Sequence, residues 1–228
     1  MVLVAEASQN ERAKFIQRTY IHLAGAVAAF VLLEFALLNS PLAEMIFNLI
    51  AANRFMWLAV LGGFALLGWL ARELASRTSS LQSQYMGLGL YVVAEAIIFV
   101  PLLFIAINFS GPSVLPNAVV LTGALFAGLT AIAFTTNKDF SFLRGALTMG
   151  GFLILGVILC SVLFNFSLGL WFSLAMVVFA GAAILYDTSN IIHHFSTEQY
   201  VAASLELFAS VALLFWYILQ ILMSLNRR

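Results

Sequence analysis

Seven predominantly apolar runs, each close to 20 residues long, decide what this chain can fold into. They cover roughly residues 21–39, 55–71, 84–107, 117–135, 142–164, 168–190 and 201–224. At 1.5 Å of rise per residue, a helix of ~20 apolar residues crosses the ~30 Å hydrocarbon layer of a bilayer. Soluble domains carry about 25% charged residues, whereas this chain is 9% charged and 63% hydrophobic. The expected fold is therefore an all-α integral membrane protein with seven transmembrane helices in contact with lipid. Residues 1–20 form a polar N-terminal segment and 21–228 the transmembrane domain, with no room for a soluble domain. The first run is long enough to span and lacks a short apolar core with a small-residue exit, so no cleavable signal peptide is expected. Residues 42–53 read as a short amphipathic helix on the membrane surface. A net charge of zero gives no footprint for nucleic acid. The single cysteine, Cys160, lies inside an apolar run and is a packing residue.

Positive charge sets the orientation. Arg12, Lys14, Arg18, Arg72, Arg77, Lys138 and Arg144 fall in the N-terminal segment and in the connections after the second and fourth runs. Only Arg54 and the terminal Arg227-Arg228 fall on the other side. The N-terminus is expected to be cytoplasmic and the C-terminus outside. With no organelle signal visible, a bacterial plasma (inner) membrane is the expected location.

With that orientation, the stretch from Ala183 to His194 becomes the centre of interest. It begins in an apolar run and carries Asp187 about one turn before polar residues take over. A carboxylate at the inner rim of a membrane helix is costly unless it is paired or hydrated. Asp187 reads either as a functional group or as an interfacial acid reaching for water. Glu206, about five residues into the seventh run, and Arg72, at the end of the second, share its level. His193, His194 and Glu198 are expected in the exit loop of the sixth helix. Glu95 lies ~11 residues into its helix, hence ~16 Å deep, and Glu34 lies in the outer half. Neither has a basic residue at matching depth in another span, so Glu95 is a possible midplane acid of a pore.

Several chemistries can be tested against these residues. A retinal protein needs a lysine inside a span, but Lys14 and Lys138 both lie outside. An aspartyl intramembrane protease would follow Tyr186-Asp187 with a Gly-x-Gly-Asp, which is absent, and Ser204 and Ser210 lack the glycines of a serine-type one. Adjacent histidines on a helix point ~100° apart, so His193 and His194 make a poor metal site without a third ligand. No enzyme, cofactor or resident metal is expected. A cation path fits better, because hard cations such as Ca²⁺ take carboxylate and carbonyl oxygens and acids at one depth attract them. Arg72 is then either a latch that pairs with Asp187 and is released by protonation, or half of a static salt bridge.

The motifs also resemble a known family. Ile184-Leu185-Tyr186-Asp187-Thr188-Ser189-Asn190-Ile191 is similar to the sixth-helix signature of the Bax inhibitor-1, or transmembrane BAX inhibitor motif, family. Phe126 to Thr130, Thr136 to Ser141, Ala202 to Leu205 and Leu214 to Leu219 resemble its fourth helix, following loop and last helix. The resemblance covers the chain from about residue 15 onward. It implies a seven-helix fold with the last helix central, and a pH-sensitive Ca²⁺ leak in bacterial members. It further implies suppression of cell death in eukaryotic members, and for some bacterial relatives a partner in a membrane-bound AAA protease. The family's pore sensor pairs aspartates on the last two helices, with an arginine latching the first. Asp187 matches the first aspartate, and Arg72 or Arg77 the arginine. Ser210 stands where the second aspartate is usual. Glu206, one turn earlier on the same face, either replaces it or leaves the pair incomplete. Since serine does not titrate near neutral pH, the resemblance implies weaker or shifted pH gating here.

Overall fold

A computed structural model describes residues 2–75, 80–136 and 138–226. The described residues form α1 (Gln9–Leu38), α2 (Pro41–Ala51), α3 (Arg54–Leu74), α4 (Leu81–Phe109), α5 (Val114–Thr135), a 3₁₀ turn (Phe140–Phe142), α6 (Leu143–Phe164), α7 (Gly169–His194) and α8 (Tyr200–Asn226). All but α2 are long and apolar enough to cross a membrane, which makes seven spans among the described residues. Local chemistry sets the boundaries. Ser8 and Glu11 form a capping box that starts α1, Ser40 caps α2 with Pro41 at its first position, and Asn53 caps α3. Ser80 caps α4, and Asn165 ends α6 in the left-handed region at φ 56°. Such caps satisfy the first N–H groups of a helix, which hydropathy does not report.

Two boundaries therefore move from their expected places. The first helix starts at Gln9 rather than near residue 21, because the Ser8–Glu11 box nucleates it in polar sequence. Within the polar segment, Phe15 and Thr19 are buried, and Val4 is fully buried. The Val4 N–H donates to the Phe195 carbonyl at 2.9 Å and the Thr197 N–H to the Val2 carbonyl at 3.2 Å. Residues 2–20 are thus built into the bundle and tied to the α7–α8 connection. At the other boundary, α7 runs through His193 and His194 instead of ending before them.

Helix α8 packs against α1, α4, α5 and α7, as expected of a central last helix, and α4 shares the interior with it. Pro101 is tolerated within α4, where neighbouring helices shield the backbone. Helix α6 is the opposite case. It has no buried residue and touches α7, α3 and the 3₁₀ turn, with Phe152 and Phe164 turned outward. Helices α3 and α4 approach closely at Gly87. A Cβ on Gly87 would lie 2.5 Å from the Ala71 carbonyl oxygen and 3.1 Å from the Ala75 nitrogen. Only glycine permits that contact.

The connection before α6 is held to α7. The Phe140 N–H donates to Ser189 Oγ at 2.9 Å, and Ser189 Oγ donates to Asp139 Oδ1 at 3.3 Å. The Ser141 N–H donates to the same carboxylate oxygen at 2.9 Å, while His194 Nε2 lies 3.2 Å from Asp139 Oδ2. Burial pushes the Asp139 carboxyl up, but the Ser141 N–H and the His194 ring outweigh it and hold the group below its ordinary value.

Two outcomes are expected. Gly87→Ala should lower the stability of the detergent-solubilised protein by ~1–3 kcal/mol, the usual penalty of overpacking, and an unchanged melting temperature would contradict the close α3–α4 contact. Asp139 has a folded value below its unfolded one, so its stabilisation is complete above the ordinary carboxylate range and is lost as pH falls through the folded value. The pair is 43% and 39% exposed, so screening keeps the effect small. Melting curves between pH 5 and pH 3 should show a smaller acid loss for Asp139→Asn than for the wild type.

Candidate functional site

The tight α3–α4 contact places the end of α3 against the first third of α4. Side chains on a helix lean toward its N-terminus, so Arg72, near the C-terminal end of α3, points back into the bundle. Its guanidinium carbon lies 5.5 Å from the centroid of the Tyr91 ring, a cation–π distance. Arg72 Nε pairs with Glu206 Oε2 on α8 at 3.3 Å. One turn further along α8, the Ser210 hydroxyl donates a short hydrogen bond to Asp187 Oδ2 on α7. Glu95 follows Tyr91 by four residues, hence on the same face of α4. These six side chains line one end of a cavity of about 1010 Å³ enclosed by α3, α4, α6, α7 and α8. Ser173 and Gln220 line it as well, and Ser173 Oγ donates to Gln220 Oε1 at 3.2 Å. These two residues lie near the start of α7 and the end of α8. The Arg72 and Glu206 side chains are 46% and 33% exposed. An ion pair that open is worth under about 1 kcal/mol, so it is a weak fastening.

Asp187, Glu206, Ser210, Arg72 and Glu95 thus converge on one cavity, while Arg77 lies outside the described residues. Two expectations need correction. The expected Arg72–Asp187 pair is not formed: Arg72 engages Glu206 and Asp187 is taken by Ser210. The reason is register, since Glu206 precedes Ser210 by one turn and meets the arginine first. Glu95 was expected to have no basic residue nearby. Yet the inward lean of Arg72 brings its guanidinium over Tyr91, and all three line the same cavity. Glu34 lies apart, buried on α1 with neither carboxyl oxygen hydrogen-bonded. Among the described residues no group of three or more His, Cys, Asp or Glu side chains is placed to hold a metal. His194 instead meets Asp139, and His193 Nδ1 lies 2.8 Å from the Ser189 carbonyl. Tyr91 went unremarked as a site residue. Its four-residue spacing from Glu95 was the available signal.

Comparison with known proteins places the chain in a family. The family model described as "Inhibitor of apoptosis-promoting Bax1" matches residues 12–227. An uncharacterized protein of Pseudomonas aeruginosa is 43% identical over 113 residues, covering 49% of this chain and 50% of that protein. The chain thus spans about half the length of that relative. An uncharacterized membrane protein of Vibrio cholerae is 30% identical over 205 residues, covering 86% of this chain and 87% of its own length. Bax inhibitor 1 of Schizosaccharomyces pombe is 31% identical over 233 aligned positions, covering 96% of this chain and 79% of that protein. With seven apolar helices, a family model that matches residues 12–227 and relatives covered over 87% and 79% of their length, the chain belongs to the Bax inhibitor-1 family of membrane proteins.

Proposed function

We propose that this protein is a pH-sensitive cation leak, with Ca²⁺ as the transported ion, fastened at Arg72, Glu206, Asp187 and Ser210. The observation that carries this reading is the convergence of three carboxyl groups and one guanidinium from four helices on a single cavity. Carboxylate and hydroxyl oxygens suit a hard cation. Arg72, held across the cavity by Glu206, occupies the place a cation would take and repels its approach. A proton taken up by the cluster of acids at this end of the cavity weakens the hold on Arg72 and frees it to swing away. Asp187, hydrogen-bonded to Ser210 rather than to a second acid, stays available as the ion's ligand. By the distribution of basic residues, this end of the bundle faces the cytoplasm, and the bilayer is a bacterial plasma membrane.

Ca²⁺ entry into proteoliposomes at pH 6 and pH 8 tests this. Wild-type flux should be higher at pH 6. Arg72→Gln and Glu206→Gln should each raise flux at pH 8 by roughly two- to fivefold, the range set by an exposed ion pair of under ~1 kcal/mol, and should flatten the pH dependence. Asp187→Asn should lower flux at both pH values. Flux no greater than that of empty liposomes in every case would sink the leak.

A second reading is favoured by the name of the fission-yeast relative, Bax inhibitor 1. In it the protein acts through a partner, in cell-death or stress control or on a membrane-bound AAA protease. Deleting the N-terminal segment would be a poor test, because Val4 and Phe15 are buried. Arg12 and Lys14 are exposed, and replacing both with Gln leaves the fold intact. Loss of partner capture with flux unchanged would support the second reading.

A further inference from the structure

The cavity is longer than a cation site requires. Asp187 and Ser173, which line its two ends, are 14 positions apart on α7, hence ~21 Å. Between the polar ends the lining from α3, α7 and α8 is apolar, with Leu61, Phe179 and Leu213. On one side its wall is α6, the helix with no buried residue, whose Leu147 and Val162 line the cavity yet remain half-exposed. The volume, about 1010 Å³, is at the upper end of the ~300–1,000 Å³ of small-molecule sites. A volume of this size beside a lipid-facing wall has room for an alkyl chain. The polar ends differ in charge. Glu95, Asp187 and Glu206 stand at one with a single guanidinium already engaged by Glu206, while the other holds the neutral Ser173–Gln220 pair.

We propose that the cavity binds a single-chain amphiphile with a protonated amine head, drawn from the surrounding bilayer. The ammonium donates to the carboxyl groups of Glu95, Asp187 and Glu206, and the alkyl chain runs toward the paired rings of Trp57 and Trp216. Charge complementarity selects the head, since an anionic one would face three acids and an occupied arginine, and a neutral one would leave two of the three acids without a counter-charge. The two rings are stacked at 6.1 Å between centroids and both line the cavity. Glu206 and Trp216 are ten positions apart on α8, or ~15 Å, within reach of a dodecyl chain.

Dodecylamine brominated at its far carbon tests the site through heavy-atom quenching of tryptophan. The chain has 4 tryptophans, of which Trp69 and Trp171 are 64% and 83% exposed. Replacing both with Phe leaves Trp57 and Trp216 as reporters in the full-length, detergent-solubilised protein. The brominated amine should quench them saturably, at concentrations at least about tenfold lower than the brominated alcohol or sulfate of equal chain length. The same amine brominated beside its head should quench weakly. Glu206→Gln should weaken binding several-fold. Val162→Phe, on the peripheral helix and with every charge kept, should weaken it as well by filling the cavity. Equal potency of amine, alcohol and sulfate would mean partition into the detergent shell and would overturn the site, as would quenching that survives both substitutions. Because the readout is fluorescence, the outcome is independent of whether the protein passes Ca²⁺.

Discussion

A charged side chain inside a helical membrane bundle has to be met by polar groups from other helices, since neither lipid nor its own backbone can satisfy it. Arg72 is where that constraint acts. Its charge meets the Glu206 carboxylate at 3.3 Å and the face of Tyr91 at 5.5 Å, so α3, α4 and α8 are held in register at one level. That arrangement depends on backbone contact as much as on charge. Gly87 lets α4 approach the Ala71 carbonyl closely, which puts Tyr91 beneath the guanidinium. A side chain at position 87 would separate the helices and leave the arginine with one partner fewer.

The second polar contact, Ser210 with Asp187, joins α7 to α8 one turn away. The two contacts are not equivalent. A serine hydroxyl donates to a carboxylate and keeps no charge of its own, whereas the arginine–glutamate pair is held by opposite charges and is one-third to one-half exposed. The helices that carry these groups are anchored near the same end of the bundle. Val4 and Val2 bond to the α7–α8 connection, and Asp139 ties the segment before α6 to the end of α7 through Ser189 and His194.

The rest of the bundle is layered by burial. Helices α4 and α8 carry most of the buried residues. Aromatic contacts such as Phe30 with Phe99 and Phe208 bind α1 to both of them. Helix α6 stands at the periphery with no buried side chain. Between this helix and the core lies the cavity, and its asymmetry of charge follows from which helix ends meet there.

Length and hydropathy determined the number of spans and, apart from the start of the first, their places to within a turn or so, because crossing hydrocarbon requires a fixed length of apolar helix whatever the packing. The resemblance of Ile184 to Ile191 to a family signature, and the shared level of Asp187, Glu206 and Arg72, made the site legible as a set of residues. Helix starts were less legible, since Ser8 with Glu11 and the extension of α7 to His194 are matters of capping rather than hydropathy. Which acid Arg72 would hold was not readable at all. Depth along a helix follows from counting residues, but a pairing depends on how neighbouring helices rotate and slide, and on where long side chains lean. The sequence by itself determined a seven-helix membrane protein with acids near one end. Only tertiary packing, through the close approach at Gly87 and the one-turn offset between Glu206 and Ser210, decided that Arg72 meets Glu206 while Asp187 meets Ser210.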